Sequence, residues 1–232
     1  MERSGEKTAL YTEIAYLIGI VFTALGVVFM EKADFGLSMV VAPAYVLHLK
    51  VSAHLPFFTF GMAEYTFQAL LLIVLAAVLR RFRAGWLFSF LTAVIYGFTL
   101  DGLMALFAFL PAGGFVLRAV WYVLGMVVCS AGIALMFRTY LSPEVYELFV
   151  KELALKTGKD IHRVKTVYDV CSMLLAVGLS FLFFGLWHFS GVKLGTLLCA
   201  LINGFIISLF SKLYDRLFDF RDGLKWRPFF EK

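Results

Sequence analysis

Charge is what this chain has least of. Asp, Glu, Lys and Arg make up 16% of its 232 residues, against 62% hydrophobic ones. A water-soluble domain of this length needs far more polar surface, so that class is excluded. Cysteine is nearly missing. Cys129, Cys171 and Cys199 all fall in apolar stretches, at spacings that suit neither a disulfide framework nor a zinc site. The four histidines (His48, His54, His162, His188) are scattered over loops and interfaces. A phosphate-binding glycine loop, a paired-His metalloprotease motif and a nucleophile elbow are also missing. The sequence therefore points away from an enzyme, and no catalytic residue, cofactor or metal is expected. The net charge of +5 does not point to nucleic acid, because the basic residues gather at the ends of apolar runs.

Those runs are what the chain has in plenty. They are about twenty residues long, enough to cross a hydrocarbon core of roughly 30 Å. Six spans are expected, at about 10–30, 58–79, 86–109, 117–137, 166–186 and 194–214. The charged N-terminus, Met1 to Lys7, leads into the first run, which is too long for a signal-peptide core and reads as a retained span. The expected fold is all-α: a polytopic membrane protein in contact with the lipid bilayer.

The second half echoes the first about 107 residues on. Ser89, Ala93, Gly97 and Asp101 are repeated as Thr196, Ala200, Gly204 and Ser208. Gly19-Thr23-Gly26 is repeated as Gly125-Cys129-Gly132. Three spans per half force the halves into opposite orientations. This gives two inverted three-helix repeats, residues 1–116 and 117–214, followed by a basic tail at 215–232. Inverted repeats are an architecture of secondary transporters. The small-residue stripes allow close helix packing in lipid, so Gly19, Gly26, Gly97, Gly125, Gly132 and Gly204 are expected at interfaces. The stripes at 89–101 and 196–208 would bring the third and sixth spans together.

Seventeen of the 21 Lys and Arg residues fall on one side of this arrangement and four, Lys32, Lys50, Arg118 and Lys193, on the other. The positive-inside rule then puts both termini in the cytoplasm. Two long connections, 31–57 and 138–165, occupy matching places. In the second, Ser142-Pro143-Glu144 reads as a helix start, and an amphipathic helix over 142–157 is expected at the cytoplasmic interface, with Glu144, Glu147 and Lys151 on its polar face. The apolar segment 36–50 is too short to span. It is either re-entrant or packed on the outer leaflet, with Pro43 breaking or kinking it.

Acids inside spans are the candidate functional residues. Glu64 lies roughly 10 Å and Asp101 roughly 12 Å from the outer ends of the second and third spans, at 1.5 Å per residue. Asp169 stands near the start of the fifth span, in the place Glu64 has in the second. Asn203 lies mid-span in the sixth and matches Tyr96. Glu64 and Asp101 would bind a proton or a cationic group, with Tyr96, Asn203 and Thr196 as polar contacts; Asp169 is either a weaker candidate for substrate or ion binding or a solvated span end. The alternative is that the acids only tie helices together through Ser, Thr or Tyr groups. Glu13 reads as an interface anchor, and Glu31, Lys32 and Asp34 as solvated.

Ala33-Asp34-Phe35-Gly36-Leu37-Ser38, Leu141-Ser142-Pro143, Lys165-Thr166-Val167-Tyr168-Asp169 and the stretch from Leu194 to Asn203-Gly204 together resemble the YczE/YyaS/YitT-like group of small bacterial membrane proteins. Met39 stands where that group commonly has Pro. The resemblance implies a multi-pass bacterial inner-membrane protein and names no substrate. The function expected is a small transporter or substrate-binding membrane protein with a pocket between the repeats, linked to protons or cations and acting on a small molecule or ion. Two other readings stay open: a substrate-capturing subunit of an energy-coupling transporter, and a membrane assembly or regulatory factor. A homo-oligomer or a partner subunit is compatible with each.

Overall fold

The computed structural model describes residues 7–187, 189–225 and 227, without the side chain of His162. The expectations for the charged N-terminus at 1–6, for His188 and for most of the tail beyond 225 lie outside the described residues.

Among the described residues, six helices are long and apolar enough to cross a membrane: α1 (Thr12–Ala33), α3 (Phe60–Leu79), α4 (Trp86–Leu106), α5 (Phe115–Met136), α7 (Ile161–Phe184) and α8 (Leu194–Leu217). The chain is a multi-pass, all-α membrane protein. Two shorter helices, α2 (Ala42–Ser52) and α6 (Val145–Thr157), lie in the two long connections. Two four-residue strands, β1 (Thr8–Tyr11) and β2 (Phe218–Arg221), pair in parallel, with Thr8 opposite Phe218 and Tyr11 opposite Arg221. Residues 215–221 are therefore no free tail, because α8 runs on to Leu217 and β2 follows it. Glu13 strengthens this tie by accepting from the backbone N–H groups of Gly223 (3.0 Å) and Leu224 (2.8 Å) and from the Tyr140 hydroxyl (2.6 Å). The end of the bundle bearing the strands is called the strand face below.

The most extensive helix pair is α1 with α5, running antiparallel. Its cause is the two glycine stripes. A Cβ at Gly26 would lie 2.5 Å from Cys129 Cβ, and one at Gly132 would lie 2.6 Å from the Thr23 backbone nitrogen. Any larger residue at these positions would hold the backbones apart, and in lipid such close packing is a main source of helix association. Around this pair, α4 packs on α1 and α8 on α5. The expectation that the third and sixth spans pack together is corrected here: α4 packs on α1 and α8 on α5, and the Gly19 and Gly125 stripes draw α1 and α5 together instead.

The short helices enter the bundle. The expectation of an interfacial α6 is corrected, and of its expected polar face Lys151 is exposed while Glu144 is buried. Its first N–H, on Val145, donates to Gln68 Oε1 at 3.0 Å, halfway along α3. Lys156, near its other end, donates to the carbonyl of Val78 close to the end of α3. So α6 starts at mid-bundle and runs back to the strand face. It begins at Val145, later than the Ser142 cap expected, because Gln68 supplies the cap from a neighbouring helix. Glu144 is buried, as is Glu152, which is held by Arg81 (3.2 Å), Arg83 (3.5 Å) and the Trp86 indole N–H (3.3 Å). The α2 helix does the same from the other end. Ala42 and Val46 pack with Ala176 and Val192, with Met173 and Phe183 beside them, so α2 starts near the middle of α7 and runs toward its far end. Pro43 sits in its first turn and starts the helix without kinking it. Of the two placements open to segment 36–50, the re-entrant one is found.

Candidate functional site

The first turns of α2 and α6 end on a common cavity of about 480 Å³, a size usual for a ligand site. Its walls come from α1 (Thr23, Val27), the run-in to α2 (residues 38–41), α4 (Tyr96), α5 (Cys129, Ile133), α6 (Glu144, Glu147), α7 (Lys165, Asp169) and α8 (Asn203, Gly204). Most of the surface is apolar. The charged groups gather where α6 meets the start of α7.

The electrostatics are unbalanced. Among the described residues, Glu144, Glu147 and Asp169 line the cavity, against Lys165 alone. Lys165 lies 3.6 Å from Asp169, one helical turn away on the same face. Glu144 accepts from Gln68 Nε2 at 2.8 Å. Gln68 thus serves α6 twice, taking the Val145 N–H on its oxygen and giving its amide proton to Glu144. Burial, then the nearby charges of Glu147 and Glu64, push the Glu144 carboxyl well above the usual carboxylate range. Burial raises Glu147 too, against the pull of Lys165. The first N–H groups of the half-helices are in part already taken. The Val145 N–H is taken by Gln68, the Ala42 N–H by Ser38 O at 3.0 Å, and Pro43 has none to give.

Tyr96 supplies the most telling polar atom. It is 1% exposed, lines the cavity, and its hydroxyl has no hydrogen-bond partner among the described residues. A buried hydroxyl left without a partner costs about 1–3 kcal/mol, which a bound group with a hydrogen-bonding atom would recover. Asn203 faces the same space from α8 and is hydrogen-bonded to Ser130 of α5.

The structure brings together only some of the residues singled out from the sequence. Asp169, Tyr96 and Asn203 share the cavity. Glu64 lies outside its lining: it is fully buried and accepts from the Tyr146 hydroxyl at 2.8 Å, so Tyr146 stands between it and the site. Its other oxygen, Oε1, has no partner among the described residues. Asp101 shares no partner with Glu64, although it bonds to α3 one turn before it. It accepts from the Thr59 hydroxyl (2.6 Å) and the Gly61 N–H (2.7 Å), and so closes the N-terminus of α3. Thr196 is buried at the start of α8, where its hydroxyl accepts from the Lys193 N–H at 3.3 Å. Asp34 is exposed, as expected, and also pairs with both Arg118 (2.8 Å) and Lys193 at the end remote from the strands. Gly97 packs on Gly61, whereas Gly204 has nothing within 4 Å of where a Cβ would stand.

Glu144, Glu147 and Gln68 were missed as site residues. Gln68 carried a signal, being an amide four residues after Glu64 on the same helix face inside an apolar span. The two glutamates were hidden by a pattern that also fits a surface helix. Among the described residues, no group of three or more His, Cys, Asp or Glu is placed to hold a metal ion.

No curated protein and no solved structure matches the chain. A match over residues 10–212, nearly the whole chain, shows that it belongs to a family of unknown function, DUF6198.

Proposed function

We propose that this protein is a small, non-enzymatic membrane transporter whose central cavity binds a cationic group in exchange for protons. The Tyr96 hydroxyl carries this reading: a buried, unpartnered polar atom faces a cavity whose other polar wall has three carboxylates and one ammonium. Glu144, Glu147 and Asp169 would hold the cation, with Tyr96 and Asn203 as neutral contacts. Glu64, behind Tyr146, would be a proton store connected to the site through that hydroxyl.

The helix contacts support an inverted repeat. The α1–α5 pair would lie on the pseudo-twofold axis. α1 with α4 then corresponds to α5 with α8, and α2 lying on α3 and α7 corresponds to α6 lying on α7 and α3. Half-helices that meet near the midplane at a repeat interface are how many transporters build their substrate sites. With the strand face in the cytoplasm of a bacterial inner membrane, as the Lys and Arg distribution favours, α6 would enter from inside and α2 from outside. The YczE/YyaS/YitT-like resemblance agrees with that setting.

A subunit that captures substrate for a partner, or an assembly factor, would need an exposed docking face. No contact favours either: α6 is packed into the bundle, and the tightest glycine stripes are spent between α1 and α5.

The test uses proteoliposomes loaded with a pH-sensitive dye. External tetramethylammonium should drive protons out and alkalinise the lumen, and Glu147→Gln should slow this about tenfold or more, the loss of one charge contact worth about 1.4 kcal/mol. Alkalinisation equal to that of empty liposomes would overturn the proposal.

A further inference from the structure

The cavity wall is open between α7 and α8. α7 is held by α2 and α6, and α8 by α5, yet α7 and α8 share almost no contact although they follow one another in the chain. Both line the cavity, α7 through Ile161, Lys165, Thr166 and Asp169, α8 through Cys199, Ala200, Asn203, Gly204 and Ile207. The gap between them therefore leads from the site to the outside of the bundle. Gly204 stands at this gap with open space where a side chain would be. The neighbouring outward residues, Leu174, Leu201 and Phe205, are 60%, 75% and 73% exposed, so the gap faces hydrocarbon and not water.

The matching pair, α3 with α4, is sealed. A Cβ at Gly61 would fall 2.0 Å from the Gly97 carbonyl oxygen, and Asp101 bolts the helix ends together. The opening is therefore a local property of α7 and α8 and not a general looseness of the bundle.

We infer that the ligand is a single-chain amphiphile with an amine or quaternary ammonium head, entering from the bilayer between α7 and α8. This rests on the cation reading above and adds the tail and the route. The head would sit among Glu144, Glu147 and Asp169, within reach of the Tyr96 hydroxyl. The tail would lie along Val27, Val41, Ile133, Met136 and Ile207 and leave past Gly204. A polar amine would gain nothing from these apolar walls, whereas an alkyl chain leaves lipid for them at little cost.

The experiment uses the full chain in lipid nanodiscs with a dodecylamine probe bearing a photoreactive diazirine on its tail. Labelled peptides are mapped, and dodecyltrimethylammonium and tetramethylammonium are compared as competitors. Labelling concentrated around Ile133–Met136 on α5 and Cys199–Ile207 on α8, along the tail's path, is expected. Dodecyltrimethylammonium should compete at concentrations at least about tenfold lower than tetramethylammonium. Gly204→Trp, which fills the gap, should abolish the focused labelling, while Leu182→Trp, on the exposed side of α7 away from the cavity, should leave it unchanged. Labelling spread evenly over all outward helices and indifferent to Gly204→Trp would overturn the lateral route. Equal competition by both cations, still lost in Glu147→Gln, would overturn the tail while leaving the cation site standing. Competition indifferent to Glu147→Gln and Asp169→Asn would overturn both.

Discussion

The α3–α4 and α7–α8 pairs occupy matching places in the chain, and they are built to opposite ends. Gly61 and Gly97 let α3 and α4 touch backbone to backbone, and Asp101 closes the start of α3 through Thr59 and Gly61. In the other pair Tyr168 lies 107 residues after Gly61, Gly204 after Gly97, and Ser208 after Asp101. Bulk replaces the first glycine, the second has nothing to pack against, and the acid has become an exposed hydroxyl. One pair is a wall, and the other a gap over a cavity with acidic residues. On the proposed inverted-repeat reading, the two copies divide the work, one giving rigidity and the other access.

The largest effect should come from breaking the wall. Gly61→Val would drive a side chain into the Gly97 carbonyl, and overpacking of this kind costs about 1–3 kcal/mol and often more. Thermal unfolding in nanodiscs should show a strongly destabilised protein. Wild-type stability would mean that the close approach of α3 and α4 is not a structural requirement.

Next comes Asp101→Ala, which removes the acceptor for Thr59 and Gly61 and should cost about 2 kcal/mol. Its counterpart Ser208→Ala should stay within about 0.5 kcal/mol. Equal costs at the two positions would erase the contrast between the pairs.

The cavity should respond to pH. Glu147 faces Glu144 on its own helix and Lys165 and Asp169 on α7, with Glu64 behind Tyr146, and burial raises its proton affinity above that of an ordinary carboxyl near 4.5. The folded protein then holds more protons than the unfolded chain, so stability is greatest below about 4.5 and falls as pH rises through the raised value. Unfolding temperatures should decline from pH 5 to pH 8, and Glu147→Gln should flatten that slope and raise stability at the alkaline end. A Glu147→Gln slope as steep as the wild type's would remove Glu147 from the titrating group.

The smallest effect should be at the gap. Gly204→Ala adds a methyl where nothing stands within 4 Å, so its stability change should stay within about 0.5 kcal/mol. A loss comparable to that of Gly61→Val would show that α8 packs more tightly than its surroundings indicate.

The six spans were legible because a helix crossing lipid must be apolar along most of its length, and that pattern needs no tertiary knowledge. The glycine stripes were legible as interfaces, but not which helices they would join: Gly97 marks a face without naming its partner, and the partner proved to be Gly61 next door. Asp101 was read as a candidate ligand-binding acid because depth can be counted from sequence, whereas a cap on a neighbouring helix cannot. The reverse error hid Glu144 and Glu147. On one helix they look like a solvated stripe, and only Gln68, 76 residues before Glu144, reveals that the first turn of α6 is buried.

The central claim is that the carboxylates of the cavity exchange protons for a cation. It is tested most directly by calorimetric titration of tetramethylammonium into the protein in nanodiscs, at one pH near neutrality, in two buffers of different ionisation enthalpy. About one proton should be released per cation bound, seen as a heat that depends on the buffer, and Glu147→Gln should lower that number. Binding heat that is identical in both buffers, or no binding at all, would contradict the account.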